Sequence, residues 1–153
     1  MKRMLCGFAV LTLLLALQSQ AIAKKPPPPP PPPPDTYVVF YATGQFYSGY
    51  ELSGTVTIDT TTGQAVSADL AVIGAGNSEV AVFNGTPSTY TNSEGDVEIS
   101  VGYSTGIVLV MPTASLKGYA GGGLIADESH WWWPVYSFGY VGIDPLVYGS
   151  LEP

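Results

Sequence analysis

The feature that most constrains this chain is the alternation between Leu52 and Ile73, LSGTVTIDTTTGQAVSADLAVI. Leu52, Gly54, Val56 and Ile58 fall on one side of an extended segment, and Ser53, Thr55, Thr57 and Asp59 on the other. A period of two puts one set on a single face of a sheet and turns the other toward water. After Gly63 the alternation resumes, with Val66, Ala68, Leu70 and Val72 predicted inward and Ser67, Asp69 and Ala71 outward. Between the two runs stands Asp59-Thr60-Thr61-Thr62-Gly63. Aspartate opens a turn by bonding its own backbone, and glycine accepts the positive φ that closes a short hairpin. Branched Thr and Val suit a half-buried pleated surface. The stretch predicts an antiparallel hairpin.

The same rhythm runs through the rest of the chain. Tyr37 to Tyr41 reads as a strand that Gly44 interrupts, with Gln45 to Tyr50 leading into the hairpin. Gly74 to Ser78 reads as a loop, Glu79 to Phe83 as a strand, and Asn84-Gly85-Thr86-Pro87 as its end. Asn92 to Asp96 (NSEGD) predicts a turn, followed by alternating Val97, Ile99 and Val101. Ile107 to Met111 is apolar throughout, which suits a strand buried on both faces. Gly121-Gly122-Gly123 requires irregular or closely packed backbone. Val135 to Val141 reads as a late strand, and Leu146 to Leu151 as the one that closes the sheet. Short strands separated by turn residues predict an all-β fold, an antiparallel β-sandwich with a small β-barrel as the alternative closure.

Residues 1–34 read differently. Lys2 and Arg3 precede an apolar run from Cys6 to Leu17, then Gln18-Ser19-Gln20-Ala21-Ile22-Ala23. This is the pattern of a secretory signal peptide over residues 1–23, cut after Ala23, and the run is shorter than the ~20 residues of a membrane span. Lys24-Lys25 and the nine prolines Pro26 to Pro34 read as a linker, a stiff spacer of roughly 28 Å in the extended polyproline helix. An uncut leader would make it the stalk of a membrane-anchored protein. Cleavage removes Cys6, the single cysteine, so the exported domain at 35–153 is expected to fold without disulfides. That length holds one core. From Asp35 onward twelve acids face one base, Lys117, a formal charge of −11 that repels phosphate backbones and excludes nucleic acid as a partner. Export to the periplasm, the cell surface or the medium is the expected localisation.

GTVTIDTTTGQAVSADLAV, SLKGYAGGGL at Ser115 to Leu124, and GSLEP at Gly149 to Pro153 resemble segments of a group of exported bacterial proteins. Many members of that group carry a C-terminal PEP-CTERM sorting tail. The sequence here ends at Pro153 without that tail's motif. The resemblance covers most of the domain, rests on turn and strand patterns, and implies a β-rich exported protein while bringing no activity with it.

The residues that could carry a site cluster at Asp127, Glu128, His130, Trp131, Trp132 and Trp133. Aromatic rings in a loop of an exported sandwich can stack on sugar faces while carboxylates bond the hydroxyls. The competing account is that the tryptophans plug one end of a core otherwise built from small residues; a third is a protein-contact surface, where Trp is enriched. On an extended segment Trp131 and Trp133 share a face and Trp132 opposes them. Thiol chemistry is excluded, and a serine triad would have to use His130, the only histidine. Ser104 in GYSTG has the nucleophile-elbow spacing without the helix that motif needs. Glu94, Asp96 and Glu98 surround Gly95 without the downstream glutamate of a calcium loop, so they read as a solvated acidic turn. The expectation is a protein with no catalytic activity, cofactor or metal. Its role is structural or adhesive at the cell envelope toward an envelope protein or extracellular polysaccharide, or carbohydrate binding through the tryptophan segment.

Overall fold

The computed structural model describes residues 28–29, 36–135 and 140–153, so the expected leader and most of the proline linker lie outside the described residues. Among the described residues ten strands succeed one another in chain order: β1 (Tyr37–Phe46), β2 (Glu51–Asp59), β3 (Gln64–Ile73), β4 (Glu79–Gly85) and β5 (Ser88–Thr91), then β6 (Val97–Gly102), β7 (Gly106–Met111), β8 (Gly122–Gly123), β9 (His130–Val135) and β10 (Tyr140–Glu152). Every pairing is antiparallel, in the order β4-β3-β2-β1-β10-β9-β7-β6-β5, with β8 also on β10. The long β10 belongs to two sheets. Its second half, from Leu146, pairs with β1, and its first half, Tyr140 to Pro145, pairs with β9.

The two sheets share one core. Phe40, Val56, Ile58 and Leu70 from one, and Ile99, Ile107, Leu109 and Met111 from the other, are almost wholly buried in a single cluster. Each such side chain contributes roughly 1.5–3 kcal/mol by leaving water. Thr86-Pro87 carries the chain from β4, the outer strand of one sheet, to β5, the outer strand of the other. Those outer strands do not pair with each other, so the architecture is an antiparallel β-sandwich and not a closed barrel.

The β2–β3 hairpin forms as the alternation predicts. Leu52, Val56 and Ile58 are buried, and the Asp59 carboxylate accepts from the Thr61 and Thr62 amides (2.9 and 3.2 Å) and the Thr62 hydroxyl (2.7 Å). Gly63 adopts φ +77° and donates to the Asp59 carbonyl at 2.7 Å. Asp59, expected on the outward side, is instead buried at 5 % exposure, and one inward position also differs from expectation. Thr57 pairs with Ser67 but Ile58 pairs with Ala65, so Val66 is the extra residue of a bulge and Ala65 takes the core position.

Other differences are local. Gly44 does not interrupt β1; it lies within the strand where the Tyr148 carbonyl passes so close that a Cβ would sit 2.6 Å from its oxygen. Ser88–Thr91 forms β5, a strand the alternation did not signal. The stretch expected as one late strand, Val135 to Val141, instead spans the end of β9 and the start of β10, with residues 136–139 outside the described residues. Buried Ser129 ties the preceding turn into the fold: its hydroxyl accepts from the Val110 amide (2.8 Å) and its carbonyl from Leu146 (2.8 Å).

Candidate functional site

The tryptophan segment is a strand, β9, and not an exposed loop. Residues 130–132 pair with β7 on one side, and 130–135 with β10 on the other, which imposes the pleat. Trp131 therefore points into the core at 5 % exposure, edge-on to Phe46 with centroids 6.4 Å apart. Trp133 comes next on the same face, half-buried, stacked on Trp131 at 4.4 Å and 29°. Trp132 lies on the opposite face with His130, their rings 6.1 Å apart. Glycines on the facing strands provide the beds for two of these rings. Gly106 pairs with Trp132 and Gly142 with Trp133, and a Cβ on either would come within 2.3 Å of the indole.

The pleat thus divides the six residues singled out from the sequence. Trp131 and Trp133 line a cleft on the inner side; His130 and Trp132 are turned away from it. Asp127 and Glu128 sit on the turn before β9, Asp127 exposed and Glu128 half-buried, where the Glu128 carboxylate accepts from the Asn92 side-chain Nδ2 at 3.2 Å. Burial first, then the negative charges of Asp96, Glu94, Asp127 and Glu98, raise the Glu128 carboxyl above its ordinary value. Asn92 organises the neighbouring β5–β6 turn, its side-chain Oδ1 accepting from the Glu94 and Asp96 backbone amides (3.1 and 2.9 Å). Among the described residues no group of three or more His, Cys, Asp or Glu side chains is placed to hold a metal ion.

The cleft itself, of about 620 Å³, opens where the β1–β2 turn meets β9 and β10. Its aromatic lining comes from Tyr47 and Tyr50 on that turn and from Trp131 and Trp133. Val80 and Ala81 of β4, with Ile143 of β10, add apolar walls, and Ser48, Thr105 and Asp144 supply polar atoms. Tyr47 projects into water at 82 % exposure, whereas Tyr50 leans on Trp131 with centroids 6.4 Å apart.

Asp144 fixes this geometry. It is 5 % exposed, and its carboxylate accepts from the Ser48 amide (3.1 Å), the Ser48 hydroxyl and the Trp131 indole N–H (3.2 Å). One side chain on β10 thereby binds the β1–β2 turn to β9. Buried carboxylates need such partners, since each unpaired buried polar group is costly. Sequence reasoning missed Tyr47, Ser48, Tyr50 and Asp144. The one available signal was an acid inside an otherwise apolar strand, just before Pro145.

The arrangement is suited to binding. Ser48 has a carboxylate beside its hydroxyl, but His130 is on the other face of β9 with Nδ1 at 2.7 Å from the Glu128 carbonyl oxygen. Ser104 lies in the turn before strand β7, not before a helix. In comparison with known proteins, no family model, no curated protein and no solved structure matches the chain.

Proposed function

We propose that this is an exported, non-catalytic β-sandwich with an adhesive role at the cell envelope, exerted through the aromatic cleft beside the β1–β2 turn. The observation that carries this reading is the cleft: four aromatic residues converge on a partly open, mostly apolar concavity braced from behind by Asp144. Such concave sites, apolar with a few placed polar groups, are where proteins bind partners. The exposed ring of Tyr47 at the cleft also favours a second reading, saccharide binding by stacking.

The test is retention of the full chain on immobilised cell envelopes from the source cells. Tyr47→Ser and Trp133→Leu should reduce retention at least tenfold, while Tyr41→Ser, on the outer face of β1, should leave it unchanged. Equal retention by all variants, or none by the wild type, would sink the cleft as the adhesive site. Release by soluble polysaccharide would select the saccharide reading.

A further inference from the structure

The first half of β10 is a sheet edge that faces this cleft. In an antiparallel ladder, pairs that exchange hydrogen bonds alternate with pairs that do not. Leu146 donates to Ser129 at 2.8 Å, which sets the phase of the β9–β10 register. Asp144 with Trp131 and Gly142 with Trp133 are then bonded pairs. Val141 and Ile143 turn their N–H and C=O groups away from β9, and Pro145 turns its C=O the same way. Both prolines obey this phase: Pro134 and Pro145 occupy non-bonded positions, where the ladder needs no N–H. On the outer edge the Pro145 carbonyl accepts from the Tyr47 amide at 2.9 Å. β1 joins β10 only from Leu146 onward. Among the described residues, nothing bonds the edge groups of Val141 and Ile143.

The cleft runs along this edge. Ile143 points outward, at 60 % exposure, and Asp144 inward, at 5 %, yet both line it. A concavity that touches both faces of one strand must pass its edge. Open edges are normally covered, charged or bulged, because they template pairing with another chain. Here the edge carries Val141 and Ile143, both exposed.

We infer that the cleft accepts an extended polypeptide segment, which adds as a strand to the edge of β10 that no described residue bonds, at Val141 and Ile143. The inference rests on the cleft being the adhesive site. N–H and C=O groups repeating at strand spacing match a peptide backbone, and a saccharide has no such repeat. The concavity favours a slim segment over a second folded copy. Walls formed by Trp133, Val80 and Ala81 select apolar side chains at alternate positions of the incoming strand. The formal charge of −11 from Asp35 onward selects basic residues at its ends.

The probes are three fluorescent peptides that alternate Val with Thr, Ile with Ser, or Tyr with Thr, each with lysine at both ends, read by anisotropy with the full chain. Each is also made N-methylated at one alternate set of residues or at the other. Backbone pairing predicts that one methylated form loses at least tenfold in affinity while the other keeps it, because only one set of N–H groups faces β10. Ile143→Pro removes the outward N–H together with the Ile side chain and leaves the hydrogen bonds to β9 in place, whereas Ile143→Ala removes that side chain but keeps the N–H and should keep most of the affinity. Ile143→Pro should lose tenfold or more with an unchanged thermal midpoint, and Ile143→Val should bind as wild type. No binding by any peptide, equal binding by both methylated forms, or full binding by folded Ile143→Pro would overturn the inference. If Ile143→Pro does not fold, the methylated pair still decides. Envelope retention that depends on Tyr47 without peptide binding would leave the cleft as the adhesive site and end strand addition alone.

Discussion

Replacing Asp144 with alanine tests whether one carboxylate holds the cleft end of the sandwich together. The substitution removes the acceptor for three donors, and the three do not lose equally. Ser48 is exposed, so its amide and hydroxyl can rebond to water and lose little. The Trp131 indole N–H belongs to a side chain 5 % exposed and is left without a partner inside the core. A hydrogen bond to a charged group is worth about 1.5–3 kcal/mol, and a stranded buried donor costs a similar amount. The indole thus dominates, and the whole substitution should cost about 3 kcal/mol. With a urea slope near ~1.5 kcal/mol per molar, the unfolding midpoint falls by about 2 M. Asp144→Asn keeps one acceptor and should lose roughly half as much; Ser48→Ala, which removes only the hydroxyl bond, should lose under ~1 kcal/mol. A loss below about 1 kcal/mol for Asp144→Ala would refute the reasoning, since the indole would then have another partner or water.

Four further outcomes are expected. Gly54→Ala should cost about 3 kcal/mol or more in the same assay, because Gly54 has φ +140° and its Cβ would lie 2.1 Å from the Asp69 carbonyl oxygen; a near-neutral midpoint would show that β2 can shift there. Trp131→Ala should cost about 4 kcal/mol and Trp132→Ala only about 1–2, since one ring is core and the other lies on the outer face; equal losses would contradict the pleat. Asp59, whose carboxyl the Thr62 hydroxyl chiefly holds below its ordinary range against the opposing effect of burial, stabilises the fold above the unfolded pKa and loses that effect as pH falls through the lower folded one. Asp59→Ala should therefore be less stable than wild type at neutral pH and converge with it in strong acid; a constant gap would refute the linkage. Tyr90, pushed up to about 12 by its bond to Glu98 and then by burial, should appear as a late-ionising tyrosine in an ultraviolet titration, and that late step should move back toward 10.0 in Glu98→Gln. Its stabilising contribution is complete below pH 10.0 and disappears as pH rises toward about 12.

Much of the fold was legible because a strand declares itself locally. The side-chain period, the Asp59-to-Gly63 turn and the unbroken apolar run of β7 are properties of neighbouring residues, and the structure places them as the alternation implies. Two kinds of feature were not legible. The Val66 bulge changes which residue faces inward, and nothing in the β3 sequence alone reveals it, because a bulge is a relation between two strands. The division of β10 between two sheets is likewise a matter of partners: the same extended backbone pairs with β9 up to Pro145 and with β1 from Leu146.

For the site, the sequence determined that Trp131 and Trp133 share a face and that Trp132 opposes them, since a pleat of period two requires it. It could not determine which face meets the core. Tertiary structure decided that, and it separated His130, Asp127 and Glu128 from the cleft although they are adjacent in sequence. It also brought Ser48 to Asp144 across 96 positions of chain, and Val80 and Ala81 to Trp133 from the other sheet. Adjacency along a strand sends side chains to opposite faces, whereas a common cleft needs residues from several strands on one face. The chain could state its own periodicity, but only the packing of two sheets could choose the company each residue keeps.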